Sequence, residues 1–112
     1  MRFIDLMDRV QGKAPKGAKR SKDWPKVRRL HLKMHPQCAV CEGTKKLDVH
    51  HGIPFHFAPD LELDPDNLYT LCRHKKYGII CHQLMGHLGN YRRINPNCRI
   101  DIMTWNIKLR AR

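Results

Sequence analysis

Apolar residues recur at helical spacing in two stretches and gather in two shorter, strand-like ones. Asp23 can cap a helix, and Pro25 sits in the first turn, where its missing N–H costs nothing. From Trp24 to Met34 the apolar positions Val27, Leu30 and Met34 lie three and four apart, which predicts a helix ending before Pro36. Leu47 to His51 is short, apolar and β-branched at Val49, so it predicts a strand. Asn67 to Cys72 predicts a second. A helix is expected to begin near Cys81 or His82 and reach about Gly86 or Leu88. After Pro96 and Asn97 a last helix should carry Ile102, Trp105 and Leu109 on one face. The order is helix, strand, strand, helix, helix, an α+β pattern.

The intervening segments are polar and contain the breakers. Cys38-Ala39-Val40-Cys41-Glu42-Gly43 predicts a tight turn, or knuckle. Residues 55–66, with Pro59 and Pro65, predict an irregular loop whose acids cap local turns or keep it solvated. Residues 73–80 form a basic excursion. Residues 11–22 are rich in Gly, Pro and Lys and predict a flexible basic arm, 1–22, ahead of a single domain, 23–112. No repeat is present. No apolar run approaches the ~18 residues a membrane helix needs, and Met1–Val10, with Asp5 and Asp8, lacks the apolar stretch of a secretory leader. A cytoplasmic protein is expected.

Charge narrows the function. The chain has 22 Lys and Arg against 10 acids, and residues 1–46 hold 13 basic and 4 acidic side chains. A surplus of this size suits a polyanion, because each neutralised phosphate releases counterions. A merely solvated basic surface is the simpler alternative. A chain of 112 residues buries little surface, so a metal would help to hold it.

Cys38 and Cys41, two residues apart on a turn, can aim both sulfurs at one ion. Cys72 and Cys81 complete a natural set of four for a structural zinc. The long gap between them leaves His74 as an alternative fourth ligand. A redox C-x-x-C or unpaired core thiols are the competing readings. Cys98 lies outside the set and is expected to be a buried or idle thiol.

The adjacent pair His50-His51 stands where the first strand ends, before Gly52 and Pro54. Strand neighbours point to opposite faces, so the two rings can divide labour. One can hold a divalent ion while the other faces an attacking water, the parts phosphodiester hydrolysis needs. His82 can supply a second ligand. His87, five residues on, falls only roughly on the same helical face. Otherwise the pair is strand-end surface, or extra zinc ligands.

His51, Asn67 and His82, in the stretches 49–54, 66–72 and 81–82, resemble the three signature positions of the HNH endonucleases. Gly86-His87-Leu88-Gly89-Asn90 also resembles small phage-type members, and the cysteine pairs flank the signature as in zinc-bearing ones. The resemblance covers about residues 24–110. It implies a ββα-metal core flanked by N- and C-terminal helices, stapled by zinc, that cuts DNA to leave a 5′ phosphate and a 3′ hydroxyl. It implies that His51 is the general base and that His50 is a metal ligand where many members have aspartate. His82 would be the helical ligand, Asn67 the tie that constrains the loop, and His87 a further ligand or phosphate contact. The catalytic ion would be magnesium, manganese or a similar metal. Arg28, Arg29, Lys45, Lys46, Lys75, Lys76, Arg92 and Arg93 are candidate contacts to the DNA backbone. Two other functions fit the same residues: a zinc-finger-like DNA-binding module that cuts nothing, and an accessory subunit of a phage DNA-packaging machine, beside a terminase or portal.

Overall fold

Trp24 decides which side of the first helix faces inward. In the computed structural model, which describes residues 19–74, 80–90 and 92–111, the helix α1 spans Trp24–Met34. The Trp24 ring lies against His51, 4.4 Å between centroids. With Trp24 turned in, Val27, Arg28 and His31 follow on the same side and are half-buried. Leu30 lies roughly 100° around the helix from that line. The expected Val27–Leu30–Met34 stripe is therefore not the packing face: Leu30 and Met34 are 53% and 66% exposed. Asp23 occupies the cap position without a side-chain cap bond, because its own backbone is already helical. Ser21 Oγ accepts the Asp23 N–H instead, at 3.1 Å.

The strands β1 (Leu47–His51) and β2 (Leu68–Cys72) form a two-stranded antiparallel sheet. Leu47 pairs with Cys72 and His51 with Leu68. β2 starts one residue later than expected. Asn67 instead ends a 3-10 turn, Pro65–Asn67, whose cap Asp64 accepts the Asp66 N–H at 2.9 Å. A second 3-10 turn, Pro59–Leu61, precedes it in the same connection. The knuckle closes as expected: Cys38 N–H donates to Gly43 O and Glu42 N–H to Cys38 O, with Glu42 in the left-handed region. It is stitched to the sheet by Ala39 N–H to Thr70 O, 2.8 Å.

Beyond β2, His82–Gly86 forms a π-helical turn in place of the expected α-helix. The last helix, α2, spans Cys98–Arg110. Ile102 is buried and Leu109 packs against the core. Trp105 is 37% exposed, with the Lys108 ammonium 5.4 Å over its ring, so it leaves the expected face. Asn106, on the opposite flank of the helix, faces the knuckle and donates to Val40 O at 3.0 Å. That contact turns Trp105 outward. Fully buried Asn95 ties α2 to the π turn, donating to Met85 O and to Asp101 Oδ2.

The core joins the knuckle, β2, the π turn and α2 through Val40, Leu71, Met85 and Ile102 together with all five cysteines. No helix among the described residues is long and apolar enough to cross a membrane. Of the expected arm, residues 1–18 lie outside the described set.

Leu71 is wholly buried in that core. Leu71→Ala is expected to cost about 2–5 kcal/mol of unfolding free energy. Urea denaturation checks this, and a loss well under 1 kcal/mol would contradict the packing described.

Candidate functional site

Two donor groups occupy the two ends of the hairpin. At the open end, Cys38, Cys41, Cys72 and Cys81 are all buried, with their sulfurs within 4.8 Å of one another. Cys41 Sγ and Cys72 Sγ are 3.6 Å apart. That is far beyond a disulfide bond. It is close to the roughly 3.8 Å between sulfurs that share a tetrahedral zinc. The thiols also interfere electrically. Cys38 is held down to about 5, chiefly because its sulfur accepts a hydrogen bond from Cys81. Cys81 is pushed up by that same bond and by burial, and Cys72 rises to about 11 through burial and the Cys38 charge. Four such thiols cannot all ionise together without a cation among them. The group could hold a metal such as zinc.

Cys81, and not His74, completes this set. Cys72 ends β2 and Cys81 opens the π turn, and their sulfurs meet despite their separation in sequence. His74 is exposed, and only its carbonyl approaches, accepting from Cys72 Sγ at 3.5 Å. Cys98 stays outside the set, buried, with its thiol pushed up to about 12 by burial and Asp101.

The second group is His50, His82 and His87, again within 4.8 Å. β1 places His50 toward the π turn, and the register sets Tyr69 opposite it. The π turn explains how His82 and His87 converge. An α-helix rotates residues five apart well away from each other, whereas the wider π turn closes at that interval. Their ring centroids are 5.1 Å apart, and those of His50 and His87 4.8 Å. Gly86 makes room for this: a Cβ there would stand 2.9 Å from His50 Cε1 and 3.0 Å from Nδ1.

Oxygen acceptors orient two of the three rings. His82 Nδ1 donates to Asp48 Oδ2 at 3.0 Å, and His87 Nδ1 donates to Arg93 O at 2.9 Å. An oxygen that can only accept requires the proton on Nδ1, so both Nε2 atoms keep a lone pair. His82 Nε2 lies 3.2 Å from His50 Nδ1. Two imidazole nitrogens bound to one ion about 2.1 Å from each stand roughly 3.0–3.4 Å apart, so this spacing suits a shared ion. His50 Nε2 is buried without a hydrogen-bond partner. Burial, reinforced by His82 and His87, holds the His50 ring down to about 3. Burial also lowers His82 against the opposing pull of Asp48. Burial thus favours the neutral form of His50 and His82, the form a metal takes.

His51 points to the other side of the strand, as alternation requires. Its Nε2 donates to Glu62 O at 2.9 Å, so its Nδ1 carries the lone pair. Burial lowers its pKa, and the bond to the Glu62 carbonyl works against that. Asn67 holds the loop between: its Oδ1 accepts the Ile53 N–H at 2.7 Å, and its Nδ2 donates to Ile53 O and Leu61 O. Gly52 belongs to the same closure, since a Cβ there would meet the Tyr69 ring at 2.9 Å.

Three participants went unforeseen in the sequence. Asp48, two residues before His50 and so on the same strand face, was accessible from alternation. It also pairs with Arg73, Oδ2 to Nε at 2.9 Å. Glu62 and Arg73 carry no local signal. Of the candidate phosphate contacts, Arg29, Lys45, Lys46, Arg92 and Arg93 are exposed and Arg28 is half-buried. Lys75 and Lys76 lie outside the described residues. A groove of about 600 Å³ between the end of α1, the knuckle and β2 takes in Cys38 but none of the three imidazoles. The site is thus defined by its donors and not by that groove.

Comparisons with protein-family models, curated proteins and solved structures returned no match.

Cys81→Ser is expected to lose bound zinc and thermal stability together, while His74→Ala keeps both. Native mass spectrometry and thermal melts decide, and zinc loss in His74→Ala would reverse the assignment. Gly86→Ala should displace the His50 ring and weaken metal binding at the histidines by on the order of 10–100-fold, the range seen when groups that orient ligands are disturbed. Titration of Co²⁺ into zinc-loaded protein measures it; unchanged affinity would remove His50 from the group.

Proposed function

We propose that this chain is a metal-dependent DNA endonuclease of the HNH type, with Cys38, Cys41, Cys72 and Cys81 holding a structural zinc. The observation that carries the reading is the split of His50 and His51 across one strand end. His50 joins His82 and His87, while His51 is held through Nε2–H with its Nδ1 lone pair available. A DNA-binding module that only needed a zinc staple would require the thiols and no such division.

His50, His82 and His87 would hold the second ion, with Asp48 fixing the His82 ring. Such an ion, when bound, supplies positive charge beside the scissile phosphate and its leaving oxygen. Three imidazoles suit iron, nickel, copper or zinc better than magnesium, which prefers carboxylates and water. The softer divalent metals should therefore serve best, a narrower choice than magnesium or manganese.

The chain's own residues do the rest. His51 Nδ1 takes a proton from water as the water oxygen forms its bond to phosphorus. The bond from phosphorus to the 3′ oxygen breaks, and that oxygen gains a proton from solvent. The products are a 5′ phosphate and a 3′ hydroxyl. Asn67, by pinning Ile53 and Leu61, keeps the loop carrying the Glu62 carbonyl at a set distance from the strand end. Arg28, Arg29, Lys45, Lys46, Arg92 and Arg93 would neutralise backbone phosphates, positioning DNA without reading its sequence.

The test is supercoiled plasmid incubated with zinc-loaded protein and Mn²⁺, Ni²⁺, Co²⁺ or Mg²⁺. Wild type should nick it, least well with Mg²⁺. His51→Ala should be about 10²–10⁴-fold slower with its fold and zinc intact. Equal, metal-independent plasmid integrity with both folded proteins would sink the proposal.

A further inference from the structure

Glu62 is a carboxylate that phosphodiester hydrolysis does not itself require, yet it is only 3% exposed. Burying an acid is costly unless it is paired, so its position needs a reason. Its backbone carbonyl accepts the His51 Nε2–H. Its side chain reaches Ser21 and Arg20. Oε1 accepts the Ser21 N–H at 2.8 Å, and Oε2 lies 3.6 Å from Arg20 Nη1, with no closer hydrogen-bond partner among the described residues. The Arg20 guanidinium also sits 4.3 Å over the ring of Phe55, itself 9% exposed. Three residues after Ser21, Trp24 packs against the same His51 ring.

One residue therefore touches both the imidazole and the root of the Lys-rich stretch 11–22. We propose that Glu62 is a positioning residue that couples Arg20 and Ser21 to His51. Its carboxylate clamps the end of the basic arm, and that clamp holds its carbonyl where it selects the Nε2–H form of the imidazole. The cleavage part of this inference rests on the nuclease reading; the tautomer part does not. Two consequences follow from the geometry. Loosening the clamp lets the His51 ring populate both neutral tautomers, and only one of them keeps the lone pair on Nδ1. The same clamp also fixes Arg20 and Ser21 to the residue that holds the imidazole, so a change at Arg20 is felt at His51.

The experiment uses the full zinc-loaded chain and two readouts: long-range ¹H–¹⁵N NMR correlations of His51, which identify its tautomer, and plasmid nicking resolved into kcat and KM. Wild type should show the Nε2–H tautomer alone. Glu62→Ala should show a mixture, with kcat lower by on the order of 10–100-fold, the scale of a small misplacement of a reacting group, and KM little changed. Arg20→Ala should move both readouts the same way by less, and Arg20→Lys should restore part of the loss. Arg20 is 56% exposed, so its variants carry the test if Glu62→Ala does not fold. A single wild-type tautomer and unchanged kcat in folded variants would overturn the coupling. So would a rise in KM alone, since that would make Arg20 a phosphate contact and nothing more. If wild type cuts no plasmid, the nuclease reading falls, and the tautomer of the Glu62 and Arg20 variants still decides the clamp.

Discussion

Four buried thiols brought to one point are the constraint on which the rest of this structure depends. They come from the knuckle, the end of β2 and the start of the π turn, three segments with little apolar surface of their own. Cysteines make up five of the nine buried residues of the main core, so little hydrocarbon remains to hold those segments together without the thiols. One ionised thiol raises the pKa of its neighbours, and a cation among them removes that conflict. With the sulfurs gathered, Cys81 is fixed beside the sheet, and the turn that follows it starts from a defined place. His82 and His87 inherit their positions from that anchor.

The imidazole group uses the same economy at the other end of the hairpin. Strand alternation sends His50 toward the π turn and His51 toward α1. Gly86 allows the backbone of the turn to close over His50, and Asp48 and the Arg93 carbonyl each accept a hydrogen bond from a ring N–H. Each orienting contact leaves a lone pair facing inward. On the opposite face, the Glu62 carbonyl does the same for His51. The division of labour between two adjacent residues is thus made by their neighbours on each side of the sheet, because the two side chains are chemically identical.

Where sequence reading erred, a single packing contact was responsible. The apolar spacing of Val27, Leu30 and Met34 is a sound helix signal, and the helix forms where expected. Its rotation is set by Trp24, which docks on His51 and outweighs two smaller side chains. Trp105 shares helical spacing with Ile102 and Leu109, but the Asn106 bond to the knuckle turns it to solvent. Asn67 adjoins a strand pattern, yet the turn capped by Asp64 claims it, and its buried amide then ties the loop. For the two helices a partner distant in sequence chose between the outcomes of a real local pattern, whereas Asn67 is claimed by its own neighbour Asp64.

Local chemistry written in the chain was enough for the two strands, the knuckle, both long helices and the α+β order. It was also enough to nominate both donor groups, because C-x-x-C on a turn and His-His at a strand end are features of spacing. What needed the tertiary structure was how each set is completed. Cys81 and not His74 joins the thiols because the π turn packs against the sheet beside the knuckle. His87 joins the imidazoles because that turn is π and not α, a difference no spacing rule shows. Asp48 and Glu62 become orienting groups only when folding sets them against His82 and His51. Spacing reports what neighbouring residues can do together, whereas the completion of a site depends on chain segments that meet only when the core closes.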